Sequence, residues 1–323
     1  MPELLPYAPL TPEWHAARRG GVTATDIVTI LGLSSWDSVY SLFWRKLGQV
    51  PDVPDSDRFR LGRELEPYVR ERWAQERAEP WHFEGGVLYR HSGRPWQMAT
   101  PDYLVGPGLD YREPLTGVLE VKTWASADMH SWQDGPPARV RAQVLWQMDV
   151  MDVAAGHVGV VFLPSGEFRS YTIEHHHGWR DEVTGLMSGP IECSECYDIG
   201  LMRHAGEEFM GRLRLELPPP DPDASAATLA AVRARFARQP DKQADVEPGT
   251  WAAWVNYRDV MDHAEREARL LESQLREQAG EAAILTVDGQ PVARRVIVDA
   301  QVKAHTRHQD YLKRIKQEGD GDA

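Results

Sequence analysis

The sequence predicts an α/β fold, a mixed central sheet flanked by helices, with a C-terminal extension of helices and a hairpin. Three observations predict it. Apolar residues recur at helical spacing around 58–78 and 138–153, and short segments bounded by glycine and proline lie between and after these helices. The proline run Pro218-Pro219-Pro220-Asp221-Pro222-Asp223 then separates this pattern from a long charged stretch. At 323 residues the chain exceeds one ordinary domain, so a main domain with a smaller appendage is the natural division.

Taken in order, Thr23-Ala24-Thr25-Asp26 has the Ser/Thr-x-x-Asp/Glu form that caps a helix, preceded by Arg18-Arg19-Gly20-Gly21. The helix over 58–78 places Leu61, Leu65, Val69 and Trp73 on one side, with Pro67 either kinking it or sitting in its first turn. Strands are expected at 86–90, 96–105 and 117–124, followed by a helix at 138–153. Strands 158–163 and 167–173 read as a hairpin through Pro164-Ser165-Gly166. Alternation of helices and strands in this order gives the mixed sheet. The expected domains are a core at 1–215, a proline-rich linker at 216–228 and an extension at 229–323. The extension reads as a long helix at 250–278, a hairpin at 282–298 turning at Asp288-Gly289, and a final helix at 301–317.

Composition excludes several classes. Hydrophobic residues at 42% with twelve tryptophans suffice for a large core, so the chain is globular. No stretch reaches the ~18–20 apolar residues that span a bilayer, and the N-terminus lacks a signal-peptide pattern, so no membrane association and a cytoplasmic location are expected, the host cytoplasm if the chain is phage-encoded. A net charge of −13 argues against binding nucleic acid by bulk positive charge, but not against a groove that is positive only locally. The two cysteines, Cys193 and Cys196, are too few for a disulfide framework. They are zinc-ligand candidates only in combination with His175, His176, His177 or His204.

The chemistry centres on Pro101-Asp102 followed by Leu119-Glu120-Val121-Lys122. On a strand alternate side chains share a face, so Glu120 and Lys122 project together while Leu119 and Val121 enter the core. A surface ion pair would explain Glu-x-Lys alone, but not the preceding Pro-Asp. Phosphodiester hydrolysis needs a hard cation held by oxygens, a positioned water and positive charge against the developing phosphorane. Asp102 and Glu120, with the main-chain carbonyl of Val121, are candidate metal ligands. Lys122 is the candidate to orient or deprotonate water. An all-oxygen site suits magnesium, with manganese able to substitute.

Pro-Asp, a spacer and Glu-x-Lys resemble the signature of the PD-(D/E)xK nuclease superfamily. Trp14-His15, Arg18, Gly20 and Thr23-Ala24-Thr25, then Gly62-Arg-Glu-Leu-Glu66, then Ala142-Gln143-Val144, are similar to stretches of the lambda exonuclease and YqaJ-type viral recombinase family, in the same order over about residues 11–175. The resemblance implies a restriction-endonuclease-like core. It adds Glu66 to the acidic site, against the competing reading of a buried ion pair, and gives Gln143 a role in holding the scissile strand or the water, against a satisfied core glutamine. It selects Arg18, with Thr25, as a 5′-phosphate site where Arg19 would otherwise compete. The implied activity is 5′-to-3′ exonucleolysis of linear double-stranded DNA. The implied partners are a single-strand annealing protein and further copies of the chain, in a ring. An endonuclease or nickase of the same fold, or an inactive DNA-binding module, are the alternatives. The chain departs from the simplest family members in its long C-terminal part, where Arg294, Arg295, Lys303, Arg307, Lys313, Arg314 and Lys316 offer either DNA contacts or a solvated face.

Overall fold

The structure is a computed structural model that describes residues 2–109, 114–175, 179–180, 187–188, 194–237, 239 and 241–295. It divides into two compact units, Met1–Ala237 and Arg238–Ala323. The first begins with β1 (Glu3–Leu5), α1 (Pro12–Arg19), α2 (Ala24–Ile30), α3 (Val39–Lys46) and α4 (Asp57–Gln75). Strands β2 (Trp81–Gly85), β3 (Leu88–Arg90), β4 (Met98–Ala99), β5 (Tyr103–Pro107) and β6 (Gly117–Ala125) follow. After a 3-10 turn at Ser126–Trp132 come α5 (Ala138–Met151), β7 (Ala155–Leu163), β8 (Glu167–Glu174), β9 (Trp179–Arg180), β10 (Met187–Ser188), α6 (Ser194–Arg214) and α7 (Ala226–Arg235).

The central sheet has the order β2-β5-β6-β7-β8. Only β6 and β7 run parallel, and α5 is the crossover that a parallel pair requires. Both faces of this sheet are covered, the mixed α/β arrangement expected from the order of elements. On one face Leu119 and Val121 of β6 join Val105 and Val161 against Val69 and Trp73 of α4. On the other, Val118, Val158, Val160 and Phe162 pack with Val144, Leu145 and Met148 of α5. Two glycines of β7 allow the helices to approach this closely. A Cβ at Gly159 would lie 2.8 Å from Val69 Cγ1, and one at Gly156 would clash with Val144 and Met148.

The helix α5 is apolar on almost every side, as a helix enclosed by the core must be. Its buried polar residues therefore need partners. Asp149 supplies one such network, accepting from Arg94 Nη2 at 3.1 Å, Gln97 Nε2 at 2.5 Å and Arg203 Nε at 2.9 Å. This carboxylate ties α5 to α6 and to the β3–β4 connection. Burial opposes its charge, but the Arg203 and Gln97 hydrogen bonds hold its pKa below the ordinary carboxylate value.

Several expectations are corrected. The strand expected at 96–105 is two strands: Met98–Ala99 pairs with β3 in a small sheet, and Tyr103–Pro107 joins the central one. Pro101 lies in the gap, where its missing N–H removes no ladder bond. The strand expected at 86–90 shortens to β3, and β2 forms an unexpected edge strand against β5. Pro67 lies inside α4, well beyond its first turn.

Division by packing falls after α7, whereas the sequence expectation began the extension at residue 229. Thr228 Oγ1 donates to Ser38 Oγ at 2.8 Å, and the Arg235 guanidinium lies 3.2 Å from the Trp44 ring centroid, so α7 is held on α3. In the second unit, α8 (Pro248–Ala279) precedes a hairpin of β11 (Ile284–Val287) and β12 (Gln290–Arg294). Its turn residues Asp288 and Gly289 both have positive φ, +51° and +76°, as the tightest hairpin turns require. The expected end of this hairpin at 296–298, the final helix at 301–317 and the basic residues from Lys303 onward lie outside the described residues. Among the described residues no helix is long and apolar enough to cross a membrane.

Candidate active site

The gap between β4 and β5 sets the position of Asp102. Pairing of β5 with β6 stops at Tyr103↔Leu119, so Glu120, Val121 and Lys122 run past the end of β5. There the Val121 amide, with no strand partner on that side, donates to Asp102 Oδ2 at 2.7 Å. Strand alternation then turns Glu120 and Lys122 away from the α4 face and toward α5.

Two glutamines of α5, one helical turn apart, meet them. Gln143 Nε2 donates to Glu120 Oε1 at 2.6 Å, and Gln147 Nε2 donates to Glu120 Oε2 at 2.7 Å. Lys122 Nζ donates to Glu120 Oε1 and reaches Gln143 Oε1 at 3.1 Å. Glu120 is only 2% exposed, so its oxygens find their hydrogen-bond partners in these donors and not in water. Gln143 thus uses both ends of its amide, donating to Glu120 and accepting from Lys122. Gln147 is completely buried, and sequence reasoning gave it no role although its spacing of four from Gln143 places both on one helix face.

Electrostatically the cluster carries more negative charge than Lys122 offsets. Burial, and next the Glu120 carboxylate, raise the pKa of Asp102 well above the ordinary value, and Glu66 adds to the effect. Glu66, on α4, is half-buried, and burial followed by the charge on Glu120 raises its pKa too. Burial works against the Lys122 ammonium, yet Glu120 and Asp102 outweigh it and hold its pKa above the usual lysine value. No arginine pairs with Glu66 among the described ion pairs at this site, although Arg63 acts on it at a distance.

Whether these residues suit a metal can be judged from the donor set. Asp102, Glu120 and the Val121 carbonyl are all hard oxygen donors, and mutually repelling buried carboxylates are what a hard cation relieves. They fit magnesium in chemical type. Among the described residues, however, no three His, Cys, Asp or Glu side chains gather into a ready cluster, although the charges of Glu66, Glu120 and Asp102 act on one another. The zinc candidates are divided: Cys193, His176 and His177 lie outside the described residues, whereas Cys196 Sγ is 3.0 Å from His175 Nε2.

A second group adjoins the first. The N-cap Thr23 forms a full capping box with Asp26, which fixes the start of α2. Arg18, from the last turn of α1, donates to Thr23 Oγ1 at 3.2 Å and Thr25 Oγ1 at 3.1 Å, with its guanidinium 4.1 Å from the Trp14 ring centroid. Arg19 is committed elsewhere, to Asp52 at 2.7 Å. A cavity of about 200 Å³ opens here, lined by Trp14, Arg18, Thr23, Thr25, Thr100 and Gln143 among others. Gln143 joins it to the acidic cluster. Thr100, buried at this wall with no partner for its hydroxyl, escaped sequence reasoning, although it immediately precedes Pro101-Asp102.

Residues 13–156 match the family model of the YqaJ-like viral recombinase domain, a span that includes every site residue from Arg18 to Gln147. An uncharacterized protein, YqaJ, of Bacillus subtilis (strain 168) is 28% identical over 124 residues, covering 38% of this chain. The match spans only 36% of that relative's length. Among solved structures, the alkaline exonuclease of Laribacter hongkongensis in complex with dAMP aligns at 22% identity and TM-score 0.47, over 64% of this chain and 94% of that one. A phage related exonuclease from Haemophilus somnus 129PT aligns at 10% identity and TM-score 0.40, over 61% of this chain and 96% of that one.

Proposed function

We propose that this chain is a metal-dependent deoxyribonuclease, an exonuclease that degrades linear double-stranded DNA from its 5′ ends. The observation that carries this reading is the meeting of Asp102, Glu120 and Lys122 where β6 runs past the end of β5, joined by Gln143 to the cavity of about 200 Å³ at Arg18. In this reading Asp102, Glu120 and the Val121 carbonyl hold magnesium, for which manganese substitutes, and Glu66 contributes further negative charge beside them. The cation, when bound, supplies Lewis acidity at the scissile phosphate and acidifies water. Lys122 keeps its proton between two carboxylates, so it orients the attacking water and offsets charge on the phosphate oxygens. Gln143, able both to donate and to accept, positions the same water or a strand oxygen.

Arg18 and Thr25 bind the 5′-terminal phosphate. Burial lowers the pKa of Arg18 despite the attraction of Asp26 and Asp52, so a guest anion in the cavity would relieve the cost of its charge. By similarity to the recombinase-type family, this reading has the enzyme act in phage-type recombination with a single-strand annealing protein, as a ring-shaped homo-oligomer. Cleavage of linear duplex DNA in magnesium should stop on adding EDTA and resume with excess magnesium. Undiminished cleavage in EDTA would remove the metal from the mechanism.

A further inference from the structure

The row that forms the acidic site continues by one more pair. Along β6 the residues Glu120, Lys122 and Trp124 share a face, and along α5 Gln147, Gln143 and Arg139 are each one helical turn apart. The two rows run in opposite directions. Gln147 meets Glu120, Gln143 meets Glu120 and Lys122, and the Arg139 guanidinium lies 4.2 Å from the Trp124 ring centroid. Trp36, in the α2–α3 connection, lies on the same cation at 5.1 Å.

The members of this group differ in what they have left to offer. Trp124 is anchored edge-on against the fully buried Trp132, 5.0 Å between centroids. Trp36 is 63% exposed, an unusual surplus of indole surface. Among the described residues Arg139 makes no hydrogen bond or ion pair, so its donors remain available; nearby charge comes from Arg58 and, with the opposite sign, from Asp128. An aromatic face and an uncommitted guanidinium in continuity with the acidic row match one nucleotide, a base for the ring and a phosphate for the cation.

We propose that Trp36 and Arg139 form a subsite for an unpaired nucleotide of a DNA strand, its base stacked on Trp36 and its phosphate held by Arg139, next to the cleavage site. The assignment rests on the nuclease reading, since the continuity of the two rows places the subsite beside that chemistry. Such a subsite suits DNA ends that have opened over fully paired ones.

The test is binding of a single-stranded oligodeoxynucleotide containing 2-aminopurine, by the full chain in EDTA so that nothing is cleaved. Wild-type protein should quench the 2-aminopurine. Trp36→Ala should weaken binding about tenfold and abolish quenching, the scale of one base on one aromatic ring, while Trp36→Phe restores most of both. Arg139→Ala should weaken binding and flatten its salt dependence, with Arg139→Lys intermediate. Unchanged affinity and quenching in Trp36→Ala would overturn the subsite, and so would equal losses in Trp36→Ala and Trp36→Phe. Glu120→Gln, assayed in parallel for binding and for cleavage in magnesium, separates the two ideas. Intact wild-type cleavage lost in Glu120→Gln, together with unaltered binding by Trp36→Ala, would sink the subsite and leave the nuclease standing.

Discussion

Glu120→Gln should lower the rate of DNA hydrolysis by at least about a hundredfold to a thousandfold while the protein still folds and binds DNA. The carboxylate has three roles at once in this reading: it is a ligand for the cation, it holds Lys122 protonated, and it receives the amides of Gln143 and Gln147. Glutamine keeps the shape and removes the charge, so the first two roles fail. The third is partly recoverable. Gln147 Oε1 is buried without a partner, and a flip of that amide would turn it toward the new donor at position 120. The folding penalty is then that of one imperfectly paired polar group, about 1–3 kcal/mol. Rates measured beside a thermal melt separate the two effects. A variant that cleaves within threefold of wild type would deny Glu120 its place in the chemistry.

Asp149→Ala should destabilise the first unit by about 1–3 kcal/mol, the cost of leaving a fully buried amide and two partly exposed guanidiniums without their acceptor. Asp149 is 8% exposed and is the common acceptor for Arg94, Gln97 and Arg203. Its removal strands two guanidiniums and a fully buried amide, and loosens the helix that carries Gln143 and Gln147. Asp149→Asn should cost less, since it keeps an acceptor. The pH dependence has a definite sign: a carboxylate whose folded pKa lies below its unfolded one stabilises above the unfolded value. That contribution is lost as pH falls through the folded value, so the wild-type advantage over Asp149→Asn should shrink in acid. Urea denaturation at neutral and acid pH measures both. A shift of under 1 kcal/mol for Asp149→Ala would mean that the network contributes nothing net.

Legibility in the sequence followed the range of the interactions. Glu120 and Lys122 were readable because strand alternation is a local rule, and Thr23 because a capping box closes within four residues. Asp102 was readable as a residue but not as a break between strands. The partners of the flanking strands, β3 for Met98–Ala99 and β6 for Tyr103–Pro107, are set by tertiary pairing that the intervening Pro101 only hints at. The edge strand β2 was missed for the same reason, its pairing to β5 being its main mark. The helix α7 follows a proline run that looks like a domain boundary, and only its contacts with Ser38 and Trp44 assign it to the first unit. Gln147 and Thr100 have ordinary identities, and their importance lies in what faces them. Trp36 carries no motif, and its place beside Arg139 depends on how the α2–α3 connection folds over α5.

The most direct test of the central claim compares wild-type and Lys122→Ala protein acting in magnesium on matched linear and covalently closed DNA, with separate 5′ and 3′ end labels. The expected result is release of 5′-labelled mononucleotide from linear DNA by the wild type, no action on closed circles, and loss of release in Lys122→Ala. Cutting of closed circles would make the protein an endonuclease, and a wild type inert on every substrate would contradict the account and leave a DNA-binding module in its place.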